Sequence, residues 1–342
     1  MNLSLLLISA IVTFVAIKIV LFLFPKLWLL DDPQKYGHKR SPVPYPAGII
    51  IPLIFFALCF FLIPQNSHLF HPFLGFACAS LLLLITSFID DRRGLPAFLR
   101  LAVQFIVAFV IIASGIGIDE IRAPFGGVIA LDTWTINFLG HQFIILADIL
   151  AILWIVGMIN AMNWLDGVSG LTSSVSAISA TVLAVVAYFF GQNDMAMIFG
   201  VLAVICFVFL FYDIDSPKIL MGDSGSMFLG LALAVFTIIA GGKLATALIV
   251  MFVPLFDAVW TIARRIYSKQ SPFKGDLCHL HHKLISLLKS RKKVVILYAS
   301  TTAFFGLFSI LLETQGKILL LVFLCVSMFF LELYLSSFDK KM

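Results

Sequence analysis

The sequence predicts an all-α, polytopic integral membrane protein with about eleven transmembrane helices, and three observations predict it. Of 342 residues, 61% are hydrophobic, and 35 are Phe. Charged residues are only 12% of the chain, about half the ~25% of an ordinary soluble domain. The apolar residues fall in runs near 3–24, 47–63, 73–89, 98–116, 143–161, 170–190, 195–211, 226–240, 244–263, 294–312 and 317–336, most of them close to the roughly 20 residues that cross a bilayer. A water-soluble globule cannot hide that much apolar surface, because folding leaves a large exterior to cover. Disorder, collagen and a disulfide scaffold are excluded by the same composition.

The first run carries Lys18 and has no basic residue before it, so it reads as a span and not as a cleavable signal. The runs 226–240 and 244–263 are separated only by Gly241, Gly242 and Lys243, a tight turn between two helices. Barrel strands would be shorter and would alternate apolar with polar. No repeat, low-complexity tract or linker divides the chain, so residues 1–342 read as one transmembrane domain. The five cysteines are odd in number and form no CxxC pair, which points away from a disulfide framework or zinc ribbon.

Basic residues orient the spans. Of 23 Lys and Arg, 19 fall in the odd-numbered loops and the C-terminus, and 3 in the even-numbered loops. The positive-inside rule then places the N-terminus outside and the C-terminus in the cytoplasm. The predicted cytoplasmic loops 25–46, 90–100, 160–169, 212–225 and 264–293 also collect most of the carboxylates, amides and imidazoles. The other face holds bland turns and one longer segment, 117–142. Polar groups gathered on one face suggest a surface site; a transporter more often buries ionisable groups near the middle of the bilayer.

Four motifs lie on that face. Phe88-Ile89-Asp90-Asp91-Arg92-Arg93 ends the third run. Adjacent carboxylates at a membrane boundary repel each other unless a cation sits between them and a polyanion; a solvated helix end neutralised by Arg92 and Arg93 is the rival. Asn160, Asn163 and Asp166 share one helix face, followed by Gly167 and Gly170, which suits a phosphate, a sugar hydroxyl or a metal-bound water. Met221-Gly-Asp223-Ser224-Gly-Ser226 opens a helix and suits a metal–diphosphate group; alone it equally reads as an N-cap. Ser271-Pro-Phe-Lys274-Gly-Asp-Leu-Cys278-His279-Leu-His281-His282 offers phosphate-binding imidazoles, and zinc is disfavoured by the spacing. Asp257, inside the ninth run, reads equally as functional or as a tie to a neighbouring helix. Asp148, Lys18 and Glu332, near span ends, read as structural.

Together these motifs make the chain resemble the polyprenyl-phosphate N-acetylhexosamine-1-phosphate transferases, bacterial inner-membrane enzymes that start cell-envelope glycans. The resemblance covers nearly the whole chain: the Asp-Asp, the Asn-x-x-Asn-x-x-Asp-Gly loop, Gly-Asp-x-Gly, and Ser-Pro-Phe followed by His-Leu-His-His. It departs where family members often carry a second Asp, here Ser169; in the shortened first loop, Asp31-Asp32-Pro33-Gln-Lys35-Tyr-Gly-His38; and at Ala47-Gly48, usually Gly-Gly.

The resemblance implies transfer of a sugar 1-phosphate, foremost N-acetylglucosamine 1-phosphate, from a UDP-sugar to undecaprenyl phosphate with release of UMP. It implies Mg²⁺, or Mn²⁺ in its place, as cofactor. Asp90, Asp91 and Asp166 are the expected catalytic carboxylates, and Asp223 and Asp91 the expected metal ligands. Asn160, Asn163, His279, His281 and His282 are expected to bind substrate, with Lys35 and His38 on the phosphates. The partners are a UDP-N-acetylhexosamine, undecaprenyl phosphate and the bilayer, with no nucleic acid; a homodimer is left open. The alternatives are another UDP-N-acetylhexosamine or deoxyhexose, and a secondary transporter.

Overall fold

A computed structural model describes residues 2–34, 40–63, 67, 69–118, 120–122, 127–131, 134–138, 141–241, 244–271 and 278–339. In chain order the helices are α1 (Leu3–Leu23), α2 (Ile50–Cys59, entered by a 3-10 turn at Ala47–Ile49), α3 (Phe70–Arg93), α4 (Ala97–Ala113), α5 (Ile145–Leu165), α6 (Leu171–Phe189), α7 (Asn193–Asp213), α8 (Asp223–Ile239), α9 (Leu244–Val250), α10 (Phe252–Tyr267), α11 (Leu280–Leu288), α12 (Arg291–Leu311) and α13 (Thr314–Asp339). Among the described residues, α1, α3, α5, α6, α7, α12 and α13 are long and apolar enough to cross a membrane. The pair α9 and α10 adds one bent segment, and α2, α4 and α8 are shorter apolar helices.

Each predicted run contains at least one of these elements, α11 lies within the predicted loop 264–293, and two further places differ from expectation. The 244–263 run is broken, with a bend of 77° between α9 and α10. Pro254 explains the break: it offers no N–H, and its ring would meet the carbonyl of Val250 in a continuous helix. The all-α expectation gives way in the 117–142 segment. There β1 (Glu120–Arg122) pairs antiparallel with β2 (Val128–Ala130), and β3 (Thr135–Phe138) with β4 (His141–Ile144). These strands are β-branched and aromatic but only three or four residues long, so their alternation is lost in an apolar background.

The bundle has a definite inside. Every residue of α8 from Ser224 to Ile238 is buried, and α6 is buried almost all round. Small residues line α6, including Ser173, Ser174, Ala177 and Ala180; such residues let helix backbones approach closely inside a membrane. A Phe cluster fastens α2 and α3 to α8: Phe55 lies 6.2 Å from Phe76 and 5.7 Å from Phe228, and Phe76 lies 4.8 Å from Phe236. The outer helices instead expose large apolar side chains, such as Ile11 and Phe22 on α1 and Leu319 and Phe330 on α13. Surfaces of that extent are stable against lipid and not against water.

Candidate active site

The buried helix α8 sets the frame. It begins at Asp223, and the four leading N–H groups of a helix have no partner within it. Asp91, two residues from the end of α3, supplies one. Its carboxylate accepts from the backbone N–H of Asp223 at 2.8 Å, the N–H of Ser224 at 3.0 Å and the Ser224 hydroxyl at 2.6 Å. The Tyr45 hydroxyl donates a fourth bond at 2.5 Å, so all the acceptor positions of Asp91 are in use. Burial, then the neighbouring Asp91 charge, pushes the Tyr45 phenol well above its ordinary value, which keeps it a donor. Gly222, which precedes the helix, has φ +76°, and a Cβ there would lie 2.9 Å from Asp91 Oδ1. Only glycine lets the carboxylate come that close.

The other carboxylates gather around the same turn. Asp90 accepts from the Leu95 N–H at 2.5 Å and from Arg100 at 2.9 Å. The same Arg100 nitrogen reaches Asp223 Oδ2 at 3.3 Å, so one guanidinium spans two carboxylates from α3 and α8. Asp166, just past the end of α5, accepts from the Gly222 N–H at 3.2 Å. Burial pushes the Asp166 carboxyl well above the usual range, with Asp213 and then Asp223 adding to it. Asn163 donates to the Ser226 hydroxyl at 3.4 Å. Asp90, Asp91, Asp166 and Asp223, from three segments remote in sequence, thus surround one helix N-terminus.

Asn160 does not join them. It donates to Gln104 Oε1 at 2.6 Å and to the Val156 carbonyl at 2.8 Å. It lies on the expected face but deeper in α5, where it ties α5 to α4, and its amide is spent within the bundle.

The imidazoles form the second wall. His279 Nδ1 lies 3.0 Å from Asp257 Oδ2, and the Leu280 N–H donates to Asp257 Oδ1 at 2.9 Å. The His279 ring packs 5.5 Å from Trp164 at the end of α5, and Arg265 lies over the same indole at 5.8 Å. His281 stacks parallel to His279 at 5.5 Å and touches His282 at 4.3 Å. His281 is fully buried, and neither ring nitrogen has a hydrogen-bond partner among the described residues. Burial, then the neighbouring His282, lowers it to about 3, so the ring is neutral at physiological pH. A Cβ on Gly167 would sit 2.9 Å from His281 Nε2. The glycine after Asp166 is therefore where the carboxylate wall meets the imidazole wall.

Lys35 and His38, expected on phosphate, lie outside the described residues, as does Lys274. Sequence reasoning missed Tyr45, Arg100 and Trp164 as parts of the site. Arg100 was visible only as one of several basic loop residues, Trp164 only as a residue inside the Asn-x-x-Asp motif. Tyr45 carried no signal.

Among the described residues, no three His, Cys, Asp or Glu side chains are arranged as a metal cage. That does not disfavour magnesium, which is usually held by one or two carboxylates together with substrate phosphates and water. A half-buried, electronegative set of oxygens, with Asp166 pushed toward its neutral form by burial and then by its acidic neighbours, fits a hard divalent cation.

Residues 73–241 match the model of glycosyl transferase family 4. The chain is 30% identical to a decaprenyl-phosphate N-acetylglucosaminephosphotransferase of Mycobacterium leprae, over 84% of this chain and 78% of that protein. It is 30% identical to an undecaprenyl-phosphate alpha-N-acetylglucosaminyl 1-phosphate transferase of Haemophilus influenzae, over 84% of this chain and 82% of the other. It is 26% identical to a protein of Bacillus subtilis named "Probable undecaprenyl-phosphate N-acetylglucosaminyl 1-phosphate transferase", over 64% of this chain and 60% of that protein's length. With identity at this level sustained across most of its length, and the carboxylate cluster within the matched region, the chain belongs to glycosyl transferase family 4.

Proposed function

We propose that this protein transfers N-acetylglucosamine 1-phosphate from UDP-N-acetylglucosamine to undecaprenyl phosphate and releases UMP, as the first membrane step of a cell-envelope glycan. The observation that carries the reading is the meeting of Asp90, Asp91, Asp166 and Asp223 at the start of α8, beside His279 and His281. The names of the relatives support the sugar and the lipid class. The protein spans the bacterial inner membrane eleven times, with the site on the cytoplasmic side; the skew of Lys and Arg supports this orientation.

The lipid phosphate oxygen bonds to the sugar-bearing phosphorus of the donor, and the bond from that phosphorus to the bridging oxygen breaks, so that UMP leaves with the electron pair. A phosphate monoester has its second pKa near 6 and is largely dianionic at neutral pH. A strong general base is unnecessary, and positioning with charge stabilisation does the catalysis. Magnesium, when bound, spreads the negative charge of the pyrophosphate; Asp223 and Asp166 are the residues that would hold it. Asp91 is the expected ligand that takes another part: its oxygens are occupied by Tyr45, Asp223 and Ser224, so it fixes the α8 N-terminus toward which the phosphates point. Arg100 holds Asp90 and Asp223 together and offers positive charge to the same phosphates. Asn163 and the imidazoles hold the nucleotide-sugar.

The test is product analysis. Purified protein in detergent receives undecaprenyl phosphate, Mg²⁺ and each of a panel of UDP-sugars, and the lipid product is weighed by mass spectrometry. Undecaprenyl-diphospho-N-acetylglucosamine as the main product is expected. No diphospholipid with any donor overturns the reading, and a different sugar on the lipid corrects the donor.

A further inference from the structure

Asp257 is a buried carboxylate, 5% exposed, on α10, and no step above uses it. Its two oxygens serve one purpose. Oδ1 accepts the backbone N–H of Leu280, the first residue of α11, and Oδ2 meets His279 Nδ1 at 3.0 Å. The Thr261 hydroxyl, one turn along α10, closes on the same Nδ1 at 3.4 Å. One turn further along α11, Lys283 donates to Glu332 of α13 at 2.6 Å. The first turn of the histidine helix is therefore gripped by carboxylates of two different spans.

An ionised carboxylate only accepts hydrogen bonds. With Leu280 donating to one oxygen, the close approach of His279 Nδ1 to the other requires the ring proton to sit on Nδ1. In the neutral ring the opposite nitrogen, Nε2, then carries a lone pair. A carboxylate behind a histidine fixes both tautomer and ring orientation.

We infer that Asp257 is a positioning residue, which locks His279 as the Nδ1-protonated tautomer and presents Nε2 as an acceptor for a hydroxyl or N–H of the nucleotide-sugar. This rests on the transferase reading above, because that reading supplies the donor substrate. Parallel stacking on His281 and contact with Trp164 hold the ring plane, so tautomer is the property Asp257 controls.

Asp257→Asn is the discriminating change. It is isosteric, its carbonyl can still accept from Leu280, and its amide must donate to Nδ1, which drives the ring proton to Nε2. Protein labelled with ¹⁵N in the histidine rings reads the tautomer directly, with His279→Gln identifying the His279 signals. The wild type should show Nδ1 protonated and Asp257→Asn should show Nε2 protonated. In parallel, kcat/KM should fall about tenfold, the worth of one hydrogen bond, through KM for the nucleotide-sugar and not for the lipid phosphate. Asp257→Glu should recover part of the loss. An Nε2-protonated wild type, an unchanged tautomer in Asp257→Asn, or an unchanged KM for the donor overturns the inference. A wild type inert with every UDP-sugar would defeat the transferase reading instead, while the spectra would still report on the Asp257–His279 pair.

Discussion

Asp91 and Ser224 are joined twice, through the serine N–H at 3.0 Å and its hydroxyl at 2.6 Å, across 133 positions of sequence. The carboxylate at the end of α3 thereby caps α8, the most enclosed helix of the bundle. Asp91→Ala should leave at least two N–H groups and a hydroxyl without a partner, at roughly 1–3 kcal/mol for a buried group left unmade. Thermal unfolding of the detergent-solubilised protein should shift down by several degrees and turnover should be lost. Ser224→Ala should show a smaller shift. An unaltered melting profile for Asp91→Ala would mean that the cap does not bear on α8.

Gly167 offers a steric test of where the two walls meet. A Cβ there would stand 2.9 Å from Nε2 of His281, a ring with no exposed surface to move into. Gly167→Ala should therefore cut kcat/KM by tenfold or more while the protein stays folded. Gly157→Ala, within α5 and with nothing within 4 Å of its Cβ, should be neutral or slightly stabilising, as alanine favours helix. Equal activity in the two variants, by UMP release, would separate the histidines from the Asp166 turn.

The buried Lys283–Glu332 pair, with side chains 6% and 0% exposed, should be costly to break from one side. Glu332→Ala leaves an uncompensated ammonium and should destabilise by about 3–5 kcal/mol. The reciprocal exchange, Lys283→Glu with Glu332→Lys, should recover part of that. Denaturant titration of the wild type, Glu332→Ala and the exchanged double variant is the measurement, and a double variant no better than Glu332→Ala would argue against a direct pair.

Protonation gives two opposed slopes in metal-free protein. Asp166 is raised in the folded state, so its contribution is complete at low pH and is lost as pH rises through its folded value. Asp166→Asn, neutral throughout, should gain stability relative to wild type as pH increases from about 4 upward. His281 is lowered to about 3, so stability falls as pH drops below its unfolded value near 6.5, and His281→Gln should flatten that loss. Melting temperatures measured in chelator across pH 4–8 check both signs; parallel curves for wild type and Asp166→Asn would contradict the first.

Much of this was legible in the residues because membranes simplify the code. Spans announce themselves as apolar runs, so the helical segments followed directly. The carboxylates were visible as polar residues at apolar boundaries, where they are costly and hence conspicuous. What the sequence concealed depends on contacts across the bundle. Asn160 shares a helical face with Asn163 and Asp166, yet only the folded bundle places it against Gln104 and away from the carboxylates. Glu332 looked like a span-end carboxylate able to reach the headgroups, and it is wholly buried against Lys283. The bend between α9 and α10 had a local signal in Pro254, but an unbroken apolar run outweighed it.

The central claim is that these loops enclose one pyrophosphate, and its most direct test is UMP release from UDP-N-acetylglucosamine by purified wild type and Asp223→Asn, titrated with Mg²⁺. Release in the wild type should require both undecaprenyl phosphate and the cation, and should fall at least a hundredfold in Asp223→Asn with the fold intact. Wild-type rates in Asp223→Asn, or release indifferent to Mg²⁺, would contradict it.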